Sequence, residues 1–304
     1  MRGRGFGVEP VCRVLCEYGV KIAARTYRAF KCRPPSARAK EDEKITSLMR
    51  RLRETPDPVT GRLPRERFYG RRKMTALLAR QGMRAGVEKI GRLMRLAGMK
   101  GLVRGRRIVT TKKTKPTASD LLNRVFDTDA PNKVWVADLT YVRTTSGWVY
   151  VSLITDAFGR KIVAANGACQ MSDDLVRDTL TLALASRARE GHPVTMGLIH
   201  HSDHGSQYTS LRFSEQLANN GITPSMGSIG DSYDNALAET VNGLYKAECV
   251  AQDGPFHTLA EVMDATLDWV YWYNHDRLHE HLGYTTPNEA EAEYYTHQQP
   301  LENQ

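Results

Sequence analysis

The chain has 304 residues, 41% of them apolar and 25% charged, the composition of an ordinary globular protein with room for two cores. No run approaches the ~18 consecutive apolar residues of a membrane span. The basic residues 1–10 lead into no apolar signal-peptide stretch, and five irregularly spaced cysteines read as reduced thiols, so a cytoplasmic protein is expected.

Charge is distributed unevenly: residues 1–130 carry 33 Lys+Arg against 12 Asp+Glu, and residues 131–304 carry 10 against 22. A basic module suited to a polyanion thus precedes an acidic one, whose clustered carboxylates attract divalent cations. Cys12 and Cys16 are not expected to hold zinc, because the chain has no CxxC pair and no histidine before His192.

In chain order, residues 31–44 (KCRPPSARAKEDEK) read as a linker, and 53–67, with Pro56, Pro58, Gly61 and Pro64, as a second irregular stretch. A helix follows, with Met74, Leu77 and Leu78 on one face and Gly82 as its stop. The next helix runs over 87–97. Val87, Ile90, Leu93, Met94 and Ala97 fall on its apolar stripe, and Arg92 and Arg95 lie off it. Two short helices about a Gly-containing turn, the second studded with Arg, fit a helix-turn-helix whose Arg92 and Arg95 contact DNA; periodicity alone equally fits a plain helical hairpin. Residues 100–116 are basic and aperiodic, an extended linker tracking phosphates.

After Pro131 the texture changes. Residues 134–142 (VWVADLTYV), 148–154 (WVYVSLI) and 161–165 (KIVAA) read as strands of a meander. Ser172 caps a helix to about Ala188, 194–200 is a fourth strand, 212–219 a helix and 222–225 a short strand. A helix then starts at Asp234 or Asn235 and reaches about Glu248. Trp269, Trp272 and Tyr273, with Tyr271, cluster in a C-terminal helix and are expected to pack inward.

Three acids stand out. Asp138 sits mid-strand, on the face that alternation gives to Val134, Val136 and Thr140; Asp203 follows directly on the fourth strand; Glu239 lies inside the last core helix. A carboxylate in a buried strand is costly unless it is paired or binds metal, whereas Asp138 alone could face solvent. Glu239, Asn242 and Lys246 follow at i, i+3 and i+7, one stripe of an α-helix suited to metal and phosphate. His201 and His204 flank Asp203 and read as orienting groups. Asp156 reads as a turn residue and Asp231 as loop or cap; Asn235 lies one turn before Glu239; Arg277 and His279 are weaker DNA-contact candidates.

Several motifs in order resemble the DDE transposases of insertion sequences, the OrfB-type proteins related to retroviral integrases. They are YGRRK and RLMRLAGMKG within 69–101, WVADLTYV at 135–142, HSDHGSQY at 201–208, the run 225–248 with 35 residues between Asp203 and Glu239, and YNHDRLHEHLGYTTPNEA at 273–290. The resemblance implies an α/β, RNase H-like catalytic core, a mixed five-stranded sheet with helices, preceded by a helical, helix-turn-helix-containing N-terminal region. The expected segments are 1–45 (basic, helical), 46–100 (helix-turn-helix-like, DNA-binding), 101–130 (basic linker), 131–250 (catalytic core) and 251–304 (C-terminal helical extension). Asp138, Asp203 and Glu239 would hold two Mg²⁺ or Mn²⁺ ions for in-line nicking and strand transfer of element ends, with Lys246 on donor-end phosphate or base. Partners implied are the terminal repeats and target DNA, further copies of the chain in a synaptic complex, and an upstream OrfA-type protein, fused or separate; no sustained heptads occur here. Two other functions fit parts of the pattern: a DNA-binding repressor without strand transfer, and a metal-dependent nuclease that cuts without joining.

Overall fold

The computed structural model describes residues 7–103, 128–203, 205, 207–226 and 236–298. His204, Asp231, Asn235 and most of the basic stretch 100–116 lie outside them. The chain forms two compact units, Met1–Arg51 and Leu52–Gln304.

The first unit holds α1 (Val8–Glu17), α2 (Ala24–Cys32) and most of α3 (Ala37–Glu54), with Glu9 paired to Arg28 between α1 and α2. The linker expected over 31–44 contracts to four residues. Pro34 and Pro35 break the helix only locally, and Ser36 Oγ accepts from the Ala39 N–H (3.1 Å), restarting it.

The second unit begins with a 3₁₀ turn (Arg65–Phe68), α4 (Arg71–Arg80) and α5 (Val87–Leu96). Gly82 ends α4 with φ +78°, as its position suggested. Ile90, Leu93 and Met94 are buried on the expected stripe, opposite Met74 and Leu78. A Cβ on Gly101 would come within 2.7 Å of the Gly70 backbone; here only glycine lets the chain leaving α5 cross the chain entering α4.

The core follows: β1 (Val134–Thr144), β2 (Gly147–Asp156), β3 (Ile162–Ala168), α6 (Asp173–Arg189), β4 (Ile199–Ser202), α7 (Leu211–Asn219), β5 (Thr223–Met226) and α8 (Ala236–Tyr245). After α8 come a π-helical segment (Lys246–Val250), the single turn α9 (Ala251–Asp253), α10 (Leu259–His275) and α11 (Pro287–Gln298). The sheet order is β3-β2-β1-β4-β5, with β1, β2 and β3 antiparallel and β1, β4 and β5 parallel. Ser172 Oγ caps α6 by accepting from the Leu175 N–H. The fourth strand is shorter than the expected 194–200, because Gly197 at φ +98° interrupts the extended chain and pairing starts only after it.

One sheet face carries Trp135, Ala137, Leu139 and Ile154 into a core with Val176, Leu180 and Ala183 of α6 and Phe213 and Leu217 of α7. The opposite face includes Val134, Val136, Asp138 and Thr140; α8 packs against β1 and α10 against β3. Trp269, Trp272 and Tyr273 are buried as expected, while Tyr271 points outward at 61% exposure.

Asp156 is a correction. It ends β2 and is buried, accepting from the backbone N–H of Asn132 (2.7 Å) and Phe158 (2.9 Å) and from Trp135 Nε1 (3.3 Å). It ties a strand end to the loop before β1, and burial pushes its carboxyl up to about 6 despite those donors.

Candidate active site

The pairing of Val136 with His201 fixes the geometry, since Asp138 and Asp203 each lie two residues further along neighbouring parallel strands. Both therefore emerge at the carboxyl end of the parallel pair, where open α/β sheets place their ligands. Asp138 Oδ1 accepts from the Leu139 N–H (2.8 Å) and Oδ2 from Asn242 Nδ2 (2.8 Å). Burial pushes the Asp138 carboxyl up to about 7; the Asp203 and Glu239 charges add to that rise, and the two hydrogen bonds oppose it. The leading charges acting on Asp138, Asp203 and Glu239, are both negative.

Asp203 is exposed, and its Oδ1 accepts from the Gly205 N–H (3.0 Å). A Cβ on Gly205 would meet that same oxygen at 3.0 Å and Gln207 Oε1 at 2.9 Å, so a side chain there would push on the Asp203 carboxylate and the Gln207 amide. Glu239 and Asn242, three residues apart on α8, face β1 together. The Asn242 amide is buried, with Oδ1 meeting no hydrogen-bond donor among the described residues.

Asp138, Asp203, Glu239 and Asn242 therefore share one neighbourhood. Lys246 does not follow the stripe in the simple way its spacing suggests. The chain leaves α geometry at that residue for the π segment, and the Lys246 ammonium sits 4.6 Å from the centroid of the Tyr141 ring. Arg92, half-buried, and Arg95, exposed, lie on α5 in the helix-turn-helix region; Arg95 Nε also donates to Gly91 O (3.3 Å). His201 is buried, its Nδ1 3.0 Å from Ser225 Oγ, consistent with an orienting role.

Two residues take places that their types did not announce. Tyr208 is buried close to Asp138 and Asp203; burial first and those two charges next hold its phenol well above its ordinary range. Its only signal was its place in HSDHGSQY. Arg277, expected as a DNA contact, is buried and grips Glu248 of the π segment through two hydrogen bonds of 2.8 and 2.9 Å.

Among the described residues no group of three His, Cys, Asp or Glu side chains closes tightly enough to hold a metal ion. The donor chemistry nonetheless fits one. Three carboxylates with mutually unfavourable charges and a buried amide oxygen without a donor form a hard, oxygen-rich set, of the kind Mg²⁺ and Mn²⁺ prefer.

A mixed sheet of this order, with acids in the middle of β1, directly after β4 and on the helix after β5, defines an RNase H-like integrase core. The family described as "Integrase core domain" matches residues 128–232 and, in a second form, 220–287; an "HTH-like domain" matches 40–107. The chain is 42% identical to the putative transposase for insertion sequence element IS986/IS6110 of Mycobacterium tuberculosis, over 91% of this chain and 98% of that one. It is 40% identical to the transposase for insertion sequence element IS629 of Shigella sonnei, over 95% and 93%. The HTLV-2 integrase catalytic core domain, solved in complex with magnesium, covers 54% of this chain and 98% of its own at 17% identity and TM-score 0.38. The chain belongs to the insertion-sequence transposase family, polynucleotidyl transferases with an integrase core and a helix-turn-helix-like region. Among the described residues no helix is long and apolar enough to cross a membrane.

Proposed function

We propose that the protein nicks the ends of its insertion element and joins them to target DNA at a single site built on Asp138, Asp203 and Glu239. The observation that supports this reading is the placement of the three acids: the Val136–His201 pairing brings Asp138 and Asp203 to one end of neighbouring parallel strands, and Asn242, one turn from Glu239 on α8, holds the Asp138 carboxylate at 2.8 Å. A carboxylate in such a place is neutralised either by a proton or by a cation, and a divalent ion held by all three acids would keep it ionised at neutral pH.

Asp138, Asp203 and Glu239 would hold Mg²⁺ or Mn²⁺, two ions in the full reading, and the metal would supply Lewis-acid activation of the nucleophile and stabilisation of the leaving oxygen. Asn242 fixes the orientation of the Asp138 carboxylate through its 2.8 Å hydrogen bond, and the Gly205 N–H does the same for Asp203 at 3.0 Å. Water is the nucleophile for nicking and a DNA 3′-hydroxyl for joining. In each in-line displacement the bond from phosphorus to the new oxygen forms as the bond to the departing oxygen breaks. No protein nucleophile is needed. Arg92 and Arg95 of α5 would contact the element end, and Lys246 the DNA close to the reacting phosphate.

The test uses duplexes carrying the element's own ends, with Mg²⁺, and compares the wild type with Glu239→Gln. Nicked and joined products should both fall by at least about a thousandfold in the variant while DNA binding persists. Cleavage without joining in the wild type would favour a nuclease, and a DNA shift with no product in either protein a repressor.

A further inference from the structure

Beyond Asp138, the β1–β2 hairpin exposes side chains that this chemistry leaves unused. Tyr141 and Trp148 are 56% and 47% exposed. Tyr141 pairs with Tyr150, and Arg143 with Trp148, so Tyr141, Arg143 and Trp148 share one sheet face with Trp148 diagonal to Tyr141. The two rings meet edge to face at 5.3 Å. The Arg143 guanidinium lies 5.8 Å from the Trp148 ring, and the Lys246 ammonium 4.6 Å from that of Tyr141.

The hairpin tip is tied down. The Thr145 N–H donates to Phe256 O (3.1 Å), Ser146 Oγ donates to His257 O (2.7 Å), and Thr145 Oγ1 lies 3.1 Å from His257 Nδ1. The aromatic pair is thus held on a braced strand pair.

We propose that Tyr141, Trp148, Arg143 and Lys246 form a stacking platform for unpaired bases of the DNA strand next to the reacting phosphodiester. This inference rests on the DNA reading above and adds a subsite to it. Aromatic faces interleaved with cations match a polyanion whose bases offer flat π surfaces. Such a face can be stacked upon only where a base is out of its pair, which selects a frayed or single-stranded flank over intact duplex. The spacing also fits. Tyr141 lies three residues past Asp138 on a strand rising ~3.3 Å per residue, about 10 Å further along and on the other sheet face, and Lys246, seven residues after Glu239, reaches it at 4.6 Å. The distance along the strand is roughly three stacked nucleotides at ~3.4 Å each. An apolar protein partner would leave Arg143 and Lys246 facing it without counter-charge, which favours DNA.

The test uses the full-length protein without divalent metal, so that it does not depend on catalysis. The probes are a blunt duplex and the same duplex with a three-nucleotide single-stranded extension carrying 2-aminopurine at the first, second or third position. Wild type and Trp148→Phe should quench 2-aminopurine at the second or third position and prefer the tailed duplex. Trp148→Ala and Trp148→Leu should lose the quench and about tenfold of the affinity for the tailed duplex, with blunt-duplex binding unchanged within about twofold. The leucine variant keeps apolar bulk, so a melting temperature close to wild type secures the comparison if the alanine variant is unstable. The proposal is overturned if either folded variant keeps the wild-type preference for the tail, or loses tailed and blunt binding equally. It is also overturned if the variants change only the sedimentation coefficient, which would mark the face as a contact between copies of the chain. A protein that shows the quench yet makes no nicked product would refute the catalytic reading and leave this one standing.

Discussion

Asp138 is caught between burial, which favours its neutral acid, and the proposed cation site, which requires the carboxylate. Its folded value near 7 exceeds the ordinary 3.8, so the fold binds this proton more tightly than the unfolded chain does. The resulting stability is fully present below about pH 4 and is lost as pH rises through 7. Metal-free protein should therefore lose about 1 kcal/mol between pH 5 and 8 from this group, roughly half of what the shift implies over that window because the carboxyl is only partly sealed from solvent. Urea denaturation should show Asp138→Asn lacking that slope between pH 6 and 8. Asp156, near 6, adds its own slope at lower pH in both proteins. Added Mn²⁺ should recover stability at pH 8 in the wild type and not in Asp138→Asn. A wild type whose stability is flat from pH 6 to 8 would contradict the assigned environment. At this scale the acids were legible, because a charge placed mid-strand, directly after a strand and on a helix stripe each breaks a local rule. Asn242 was legible as the i+3 neighbour of Glu239. Tyr208 was not, since an apolar-bodied residue in a polar motif gives no sign of which charges it will face.

The helix that presents Glu239 is continued by a π segment, and what stabilises that change of geometry comes from distant elements. Arg277 holds the Glu248 carboxylate from the turn after α10. Arg65 donates to Glu248 O (2.7 Å) and also pairs with Asp253 (2.7 Å) and Asp268 (2.8 Å). Arg277→Ala would leave the buried Glu248 charge without its partner and should cost about 3–5 kcal/mol. Arg277→Lys should recover only part, since an ammonium cannot reproduce the two-pronged contact. Chemical denaturation measures both. DNA affinity of the folded fraction should stay within about twofold of wild type, and a selective loss of DNA binding in a protein of normal stability would restore Arg277 as a contact residue. Sequence periodicity located the helices and strands of the core because it reports which face each element buries. It could not show the π segment, the late start of β4 or the burial of Arg277. Those depend on a one-residue change in helical pitch, a glycine dihedral and a partner 29 residues away.

Across the whole molecule, the division into a basic and an acidic half looked like one surface for DNA and another for metal, but part of it is neutralised internally. Arg62 pairs with Asp264 and Asp268, Arg65 with Asp253 and Asp268, Arg72 with Glu280 and Arg80 with Glu289. These contacts fasten the helix-turn-helix region to the C-terminal segment. Formal charge therefore overstates how many cations of this region can displace counterions from DNA. The salt dependence of binding separates the two populations, because each phosphate neutralised contributes about 0.9 to the slope of log K against log salt. Arg95 is exposed on α5, where its Nε donates to the Gly91 carbonyl. Arg95→Ala should lower the slope by about 1 between 50 and 200 mM salt. Arg80→Ala should leave the slope unchanged, because its charge is already matched by Glu289; its cost should appear as looser attachment of α4, read as faster amide exchange over 71–80. Equal slope losses from Arg80→Ala and Arg95→Ala would mean that the fastening pairs open on DNA and that the basic half acts as an undifferentiated cationic surface. An unchanged slope in Arg95→Ala would remove Arg95 from the DNA interface.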